Sequence, residues 1–169
     1  MILIDDALLA QVNRLGDALR ARGWRLATAE SCTGGLLAGA CTAPAGASDW
    51  FDAGIVTYAN GAKSGLLGVP GALIAAHGAV SAEVADAMAR GALAHAGVQL
   101  ALSVTGIAGP GGGSATKPVG TVWLGLAWVR GETVESRTEC LHLRGDRAAI
   151  RAQTVDIALQ RLVAAALAP

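Results

Sequence analysis

Aromatic side chains are scarce in this chain of 169 residues, which has four Trp but a single Tyr, Tyr58, and a single Phe, Phe51. The apolar content comes instead from Ala, Leu, Val and Gly, which suits a tightly packed α/β core of small residues. Lysine is scarcer still, since only Lys63 and Lys117 among the 13 basic residues are not Arg. Where positive charge is supplied almost always as Arg, a retained Lys is either a chance survivor or a position that needs a titratable amine. The three cysteines, Cys32, Cys41 and Cys140, are odd in number and show no CxxC spacing, which argues against a disulfide framework or structural zinc and fits a reduced, cytoplasmic chain. His77, His95 and His142 are scattered without metal spacing, so no metal is expected. No apolar run approaches the roughly 18 residues of a membrane span, and Asp5 and Asp6 stand where a signal peptide would carry basic residues. The formal net charge is zero, which removes the electrostatic footprint for nucleic acid. What remains is one domain over residues 1–169, without repeat or linker, whose partners are a small molecule or another copy of the chain.

The pattern that is present reads as alternating helices and strands. Ile4, Leu8, Val12, Leu15 and Leu19 fall on one helical face that Gly23 ends. A strand over Trp24–Ala29 leads through Glu30-Ser31-Cys32-Thr33-Gly34-Gly35 into a small-residue helix, Leu36–Cys41. Residues 43–48 carry loop chemistry. Phe51–Ala59 predicts a second strand with Tyr58 near its end, followed by a short helix at Lys63, another over Ala72–His77, and a third from Ser81 to about His95. Leu100–Val104 predicts the third strand and Thr105–Pro118 a glycine-rich loop. Val119–Val129 and Thr133–Leu143 form a hairpin about Arg130-Gly131-Glu132. A last helix starts near Asp146 and buries Val155, Leu159, Leu162 and Ala166. This order predicts an α/β fold, three layers α/β/α with a mixed sheet of about five strands.

Ligands of open α/β sheets sit at the carboxyl ends of strands. Three such ends here run into polar or glycine-rich segments: Ser31, then Tyr58 and Lys63, then Thr105 to Gly113. Parallel strands would bring them to one edge. Ser31 lies where a strand ends and a helix begins, so its hydroxyl is either a helix cap or a nucleophile. A Lys beside it can serve as base only if uncharged, which means destabilising the cation by roughly 4.6 kcal/mol to bring it from about 10.4 to near 7. Burial and a helix N-terminus both push that way. Lys63 is otherwise a solvated surface residue, and Tyr58 either closes the sheet edge or relays a proton.

The run Gly109 to Gly113 is an anion nest or a flexible loop; it completes neither GxGxxG nor a Walker A motif, so no nucleotide cofactor is expected. Ser114-Ala115-Thr116-Lys117 matches S-x-x-K, but Pro118 and the glycines argue against the helix that motif needs. Arg147 and Arg151, one turn apart beside Arg144, are solvated with Asp146 as cap, or they hold a phosphate. Cys32 is the rival nucleophile to Ser31, or a buried structural thiol.

Thr28-Ala29-Glu30-Ser31-Cys32-Thr33-Gly34-Gly35, Val56-Thr57-Tyr58, Gly78-Ala79-Val80-Ser81, Ser103 to Pro110, Lys117 to Val122 and Gly145-Asp146-Arg147 together resemble the CinA C-terminal domain family over about residues 10–160, in the same order. The family's characterised members are nicotinamide-nucleotide amidases, and its larger members carry a further N-terminal domain; this chain resembles the stand-alone form. The resemblance implies an α/β/α homo-oligomer that hydrolyses the carboxamide of nicotinamide mononucleotide without a metal, in pyridine nucleotide salvage. It also implies that Ser31, Tyr58 and Lys63 correspond to the family's proposed Ser, Tyr and Lys. On that basis Lys63, directly or through Tyr58, takes the Ser31 proton. Backbone N–H groups at Thr33 and Gly34 face the oxyanion. Thr105 and Gly106, with Gly109 and Gly111 of the loop, position the substrate, and Arg147 or the loop holds its phosphate. Two rival expectations are a Cys32 amidase and a pyridine-nucleotide-binding regulatory module without turnover.

Overall fold

Alternation of large and small apolar residues along the strands decides how this protein layers. In the computed structural model, which describes residues 5–168, β1 (Leu26–Glu30), β2 (Phe51–Val56) and β3 (Leu100–Gly106) run parallel. β4 (Thr121–Arg130) and β5 (Thr133–His142) complete the sheet antiparallel, in the order β2-β1-β3-β4-β5. Leu26, Leu100, Leu102, Val122, Leu124 and Leu126 point to one side and pack with α1 (Asp6–Arg22), α2 (Leu36–Cys41) and α6 (Arg147–Leu167). Each fully buried leucine there contributes roughly 2 kcal/mol. Ala27, Ala29, Ala101 and Ala127 point to the other side, where α5 (Ala82–Ala96) lies with α3 (Asn60–Leu67) and α4 (Gly71–His77). The result is the expected three-layer α/β/α arrangement on a five-stranded mixed sheet.

The small-residue side lets α5 approach the sheet closely. Ser103 Oγ donates to the Ala85 carbonyl at 2.6 Å, and a Cβ added at Gly125 would run into that same carbonyl. Gly91 on α5 makes an equally close approach to α3, where an added methyl group would strike the carbonyl oxygen of Leu67. Through that contact α5 sets the position of α3, the helix that carries Lys63.

Side-chain caps mark several helix starts. Asp5 accepts from Leu8 N, Ser81 from Val84 N and Asp146 from Ala149 N. Gly23, Gly68 and Gly97 end their helices in the left-handed conformation that favours glycine. Ile4, assigned by pattern to the α1 face, lies outside the described residues. Several boundaries differ from the sequence pattern: β1 runs Leu26–Glu30 rather than Trp24–Ala29, β4 starts at Thr121 rather than Val119, and β5 ends at His142 rather than Leu143. β2 stops at Val56 rather than Ala59, because beyond Thr57 the chain turns its carbonyls away from the sheet towards Lys63. β3 continues to Gly106, since the antiparallel partner Val122 holds it. Residues 47–49 of the expected loop form one 3₁₀ turn. Ser114 and Lys117 lie in the loop outside any helix, and the Lys117 ammonium donates to the His77 carbonyl at 2.8 Å.

Candidate active site

Because β1, β2 and β3 are parallel, their carboxyl ends open on one edge, and a cavity of about 210 Å³ lies there. Its lining includes Ser31, Cys32, Tyr58, Lys63, Thr105 and Arg147. With Gly106, seven candidates of the sequence pattern thus converge there, from three strand exits and the start of α6.

At its centre is one contact: Lys63 Nζ lies 3.1 Å from Ser31 Oγ. Lys63 is 1% exposed, and its other partners are the carbonyls of Thr57 at 2.8 Å and Tyr58 at 3.3 Å. No carboxylate bonds it among the described residues, so burial holds its amine below the usual lysine range. An uncharged amine has two N–H groups and one lone pair. In that uncharged form the two carbonyls take the N–H groups and the lone pair faces the Ser31 hydroxyl, an arrangement in which the amine can act as base to the hydroxyl.

Cys32 is buried beside Ser31, and no hydrogen bond joins its sulfur to Lys63. Burial pushes its thiol up to about 11, and the Glu30 carboxylate adds to that push against the lowering effect of its backbone, Arg151 and Arg147. At neutral pH it is a thiol and not a thiolate.

The backbone around Ser31 is organised differently from the sequence expectation. Gly34 cannot donate to a substrate oxyanion, because its N–H is engaged by the Ser31 carbonyl at 3.0 Å. The next free amides of α2 are also taken. Glu30, fully buried, accepts from Gly35 N at 3.0 Å, Leu37 N at 3.1 Å and Ala38 N at 2.8 Å. Leu36 N donates to the Thr33 carbonyl at 3.3 Å. The N–H groups of Cys32 and of Ala108 across the cavity, both residues of its lining, make no hydrogen bond to another residue's backbone among the described residues. These are the donors on hand for developing negative charge.

Tyr58 also stands differently from a relay. The residue is 60% exposed, and its phenol accepts from Arg147 Nη2 at 3.0 Å. Lys63 touches the Tyr58 carbonyl, and it reaches Ser31 directly. Arg147 also donates from Nη1 to the Gly109 carbonyl at 2.9 Å, so it ties the exit of β2 to the glycine loop. Its partners are neutral, which leaves a guanidinium charge unbalanced at the cavity mouth. Arg151 instead braces the backbone, with Nε donating to the Cys32 carbonyl at 3.1 Å and Nη2 to the Thr33 carbonyl at 2.9 Å. Thr105 lines the wall and gives its proton to the Ala79 carbonyl at 2.8 Å. Gly106 lines the cavity beside it, whereas Thr33, Gly34, Gly109 and Gly111 do not. Gly111 is exposed, in the part of the loop that extends away from the cavity.

Asn60, Ala79, Val80 and Ala108 complete the lining, and sequence reasoning missed them. Asn60 carried a weak signal, a polar residue two positions beyond Tyr58 at the start of a helix. Glu30 carried a stronger one, an acid at the end of an otherwise apolar strand. Ala79, Val80 and Ala108 carried only their place in the segments Gly78-Ala79-Val80-Ser81 and Ser103 to Pro110. No group of three or more His, Cys, Asp or Glu that could hold a metal occurs among the described residues, and no helix among them is long and apolar enough to cross a membrane.

Comparison with known proteins adds a family to this geometry. The family model of the CinA C-terminal domain matches residues 9–166. A nicotinamide-nucleotide amidohydrolase PncC of Escherichia coli K12 is 49% identical over 160 residues, covering 95% of each chain. A protein of the same name from Pseudomonas putida is 51% identical over 158 residues, covering 94% of this chain and 96% of that one. Among solved structures, the competence/damage inducible protein CihA of Agrobacterium tumefaciens superposes with a TM-score of 0.89 at 43% identity, over 97% of this chain and 98% of its own.

Proposed function

The chain belongs to the CinA C-terminal domain family, and from that premise we propose that it hydrolyses the carboxamide of nicotinamide mononucleotide, giving nicotinate mononucleotide and ammonia. The observation that carries the reading is the 3.1 Å contact between the Ser31 hydroxyl and a buried lysine amine that no carboxylate bonds.

In the proposed reaction, uncharged Lys63 takes the Ser31 proton while Oγ attacks the amide carbon. The resulting oxyanion faces the N–H groups of Cys32 and Ala108, both in the cavity lining, which supply the charge stabilisation that a tetrahedral intermediate needs. The Lys63 ammonium then returns its proton to the amide nitrogen, the C–N bond breaks, and ammonia leaves. Water, deprotonated by the same amine, cleaves the ester and restores the Ser31 hydroxyl. Arg147 binds the phosphate, and Tyr58 holds Arg147 in place. The Thr105 oxygen, whose proton is engaged, accepts from the substrate amide N–H.

The test is ammonia release by the purified protein from nicotinamide mononucleotide, with the acid product measured in parallel. Equimolar ammonia and acid are expected. Binding of the nucleotide without ammonia would establish the regulatory-module reading instead. A thiol nucleophile is tested by Cys32→Ala, which should keep most of the rate; loss of turnover in that variant would move the nucleophile to Cys32.

A further inference from the structure

Glu30 is the one carboxylate in the core of the molecule that no cation bonds among the described residues. Its acceptors are filled by three backbone N–H groups of α2, reached from the far side of the turn that carries Ser31 and Cys32. The position that normally caps a helix is Gly35 here, with φ +94° and no side chain. α2 has only six residues and could not hold its place by its own hydrogen bonds. Glu30 supplies the missing cap from five residues upstream, so the end of β1 and the start of α2 are bound into one unit. The turn between them is closed by Gly34 N to the Ser31 carbonyl, and Arg151 holds the carbonyls of Cys32 and Thr33 from α6.

Two potential nucleophiles, Ser31 and Cys32, are adjacent on this turn, and both line the cavity that Lys63 lines. We propose that Glu30 is a positioning residue for Ser31: its buried carboxylate locks the turn so that the hydroxyl of residue 31, and not the thiol of residue 32, faces the Lys63 amine. This rests on the Ser31 mechanism above. The charge acts in the same direction as the geometry. Glu30 opposes ionisation of Cys32, the charged groups Arg151 and Arg147 favour it, and the Lys63 amine lies in the same cavity lining. A neutral helix cap would hold the backbone without suppressing the thiolate. A carboxylate does both.

The experiment is Glu30→Gln, which preserves size but removes the charge and sets an N–H₂ against backbone N–H groups. Two quantities are read: kcat and KM for ammonia release, and the rate at which iodoacetamide modifies Cys32 in the folded protein at pH 8, followed by peptide mass. The variant should lose about tenfold to hundredfold in kcat, the scale on which a misplaced reacting group costs rate. KM should stay within about threefold, as expected when only the transition state is affected. Cys32 should be modified at least about threefold faster. A folded variant with wild-type kcat, or with an unchanged Cys32 rate, overturns the proposal. One arm needs no variant: in the wild-type protein Cys32 should react more than about tenfold slower than in the urea-unfolded chain, and equal rates overturn the proposal even where Glu30→Gln fails to fold. If the wild-type protein releases no ammonia, the amidase reading falls by itself, and the two alkylation comparisons still decide whether Glu30 controls the turn.

Discussion

Two cavities of similar volume sit at opposite ends of β1 and β3, about 210 Å³ at the carboxyl ends and about 250 Å³ at the amino ends. The second is the better-looking hole: it has Trp24 and Trp128 on its walls and Arg22, Arg130 and Arg137 around it. Yet it holds no pair of groups that could exchange a proton at neutral pH. Arg22 lies 3.7 Å above the Trp24 ring and donates to the carbonyls of Ala166 and Ala168, and Arg130 pairs with Glu135 at 3.5 Å. A guanidinium stays charged wherever it is placed, so these arginines can bind but cannot act as base, and the one carboxylate of the lining, Glu135, is paired with Arg130. At the other end one amine is buried among neutral oxygens, and burial disfavours its charged form. The kind of cation, and its distance from water, separate the two ends.

The largest expected effects come from breaking that distinction. Ser31→Ala and Lys63→Ala should each lower ammonia release by at least about 10³-fold, with circular dichroism unchanged. Lys63→Arg should do the same, because it sets a permanently charged guanidinium where an uncharged amine is needed; an arginine variant that retained the wild-type rate would rule out the base role. A smaller effect is expected for Arg147→Ala. Losing a charge-assisted contact to phosphate should raise KM by about tenfold to hundredfold and leave kcat within about threefold.

Next comes a stability effect that depends on pH. Lys63 titrates below its unfolded value, so between the two values the unfolded chain binds more protons and stability rises with pH. Below the folded value the full cost of burying the cation remains. Lys63→Met removes that cost, so the melting temperature of the variant relative to the wild type should be highest at low pH. The gap should shrink as pH climbs towards 10.5, and a gap constant with pH would contradict a depressed amine. The smallest effect belongs to the far cavity: Arg137→Ala should change ammonia release by less than about twofold.

Much of this arrangement was legible in the amino-acid sequence. Hydrophobic periodicity and glycine punctuation located the strand ends, and a parallel reading of three strands was enough to bring Ser31, Tyr58, Lys63 and Thr105 to one edge. Ser81, Asp146 and Gly23 announced helix boundaries because caps are local and side-chain specific. What escaped was set by tertiary distance. The Glu30 cap skips over a turn, so it matches no pattern of adjacent residues. The Tyr58 phenol is oriented by an arginine 89 residues further along the chain. The Gly34 amide looked free because its acceptor, the Ser31 carbonyl, depends on how the turn closes. Arg151 resembled Arg147 in sequence and differs from it only by one helical turn, which aims it at the backbone under Ser31.

The tight approach of α5 to α3 at Gly91 bears on how this protein can be hardened against heat. Replacing a helical glycine by alanine is ordinarily among the safest stabilising changes, worth roughly 0.4–1 kcal/mol. At position 91 the new methyl group would push on Leu67, four residues along the helix from Lys63, and slide the amine off the hydroxyl. A thermostability screen scored on melting alone would be blind to that damage, so residue 91 belongs among the positions such a screen leaves untouched.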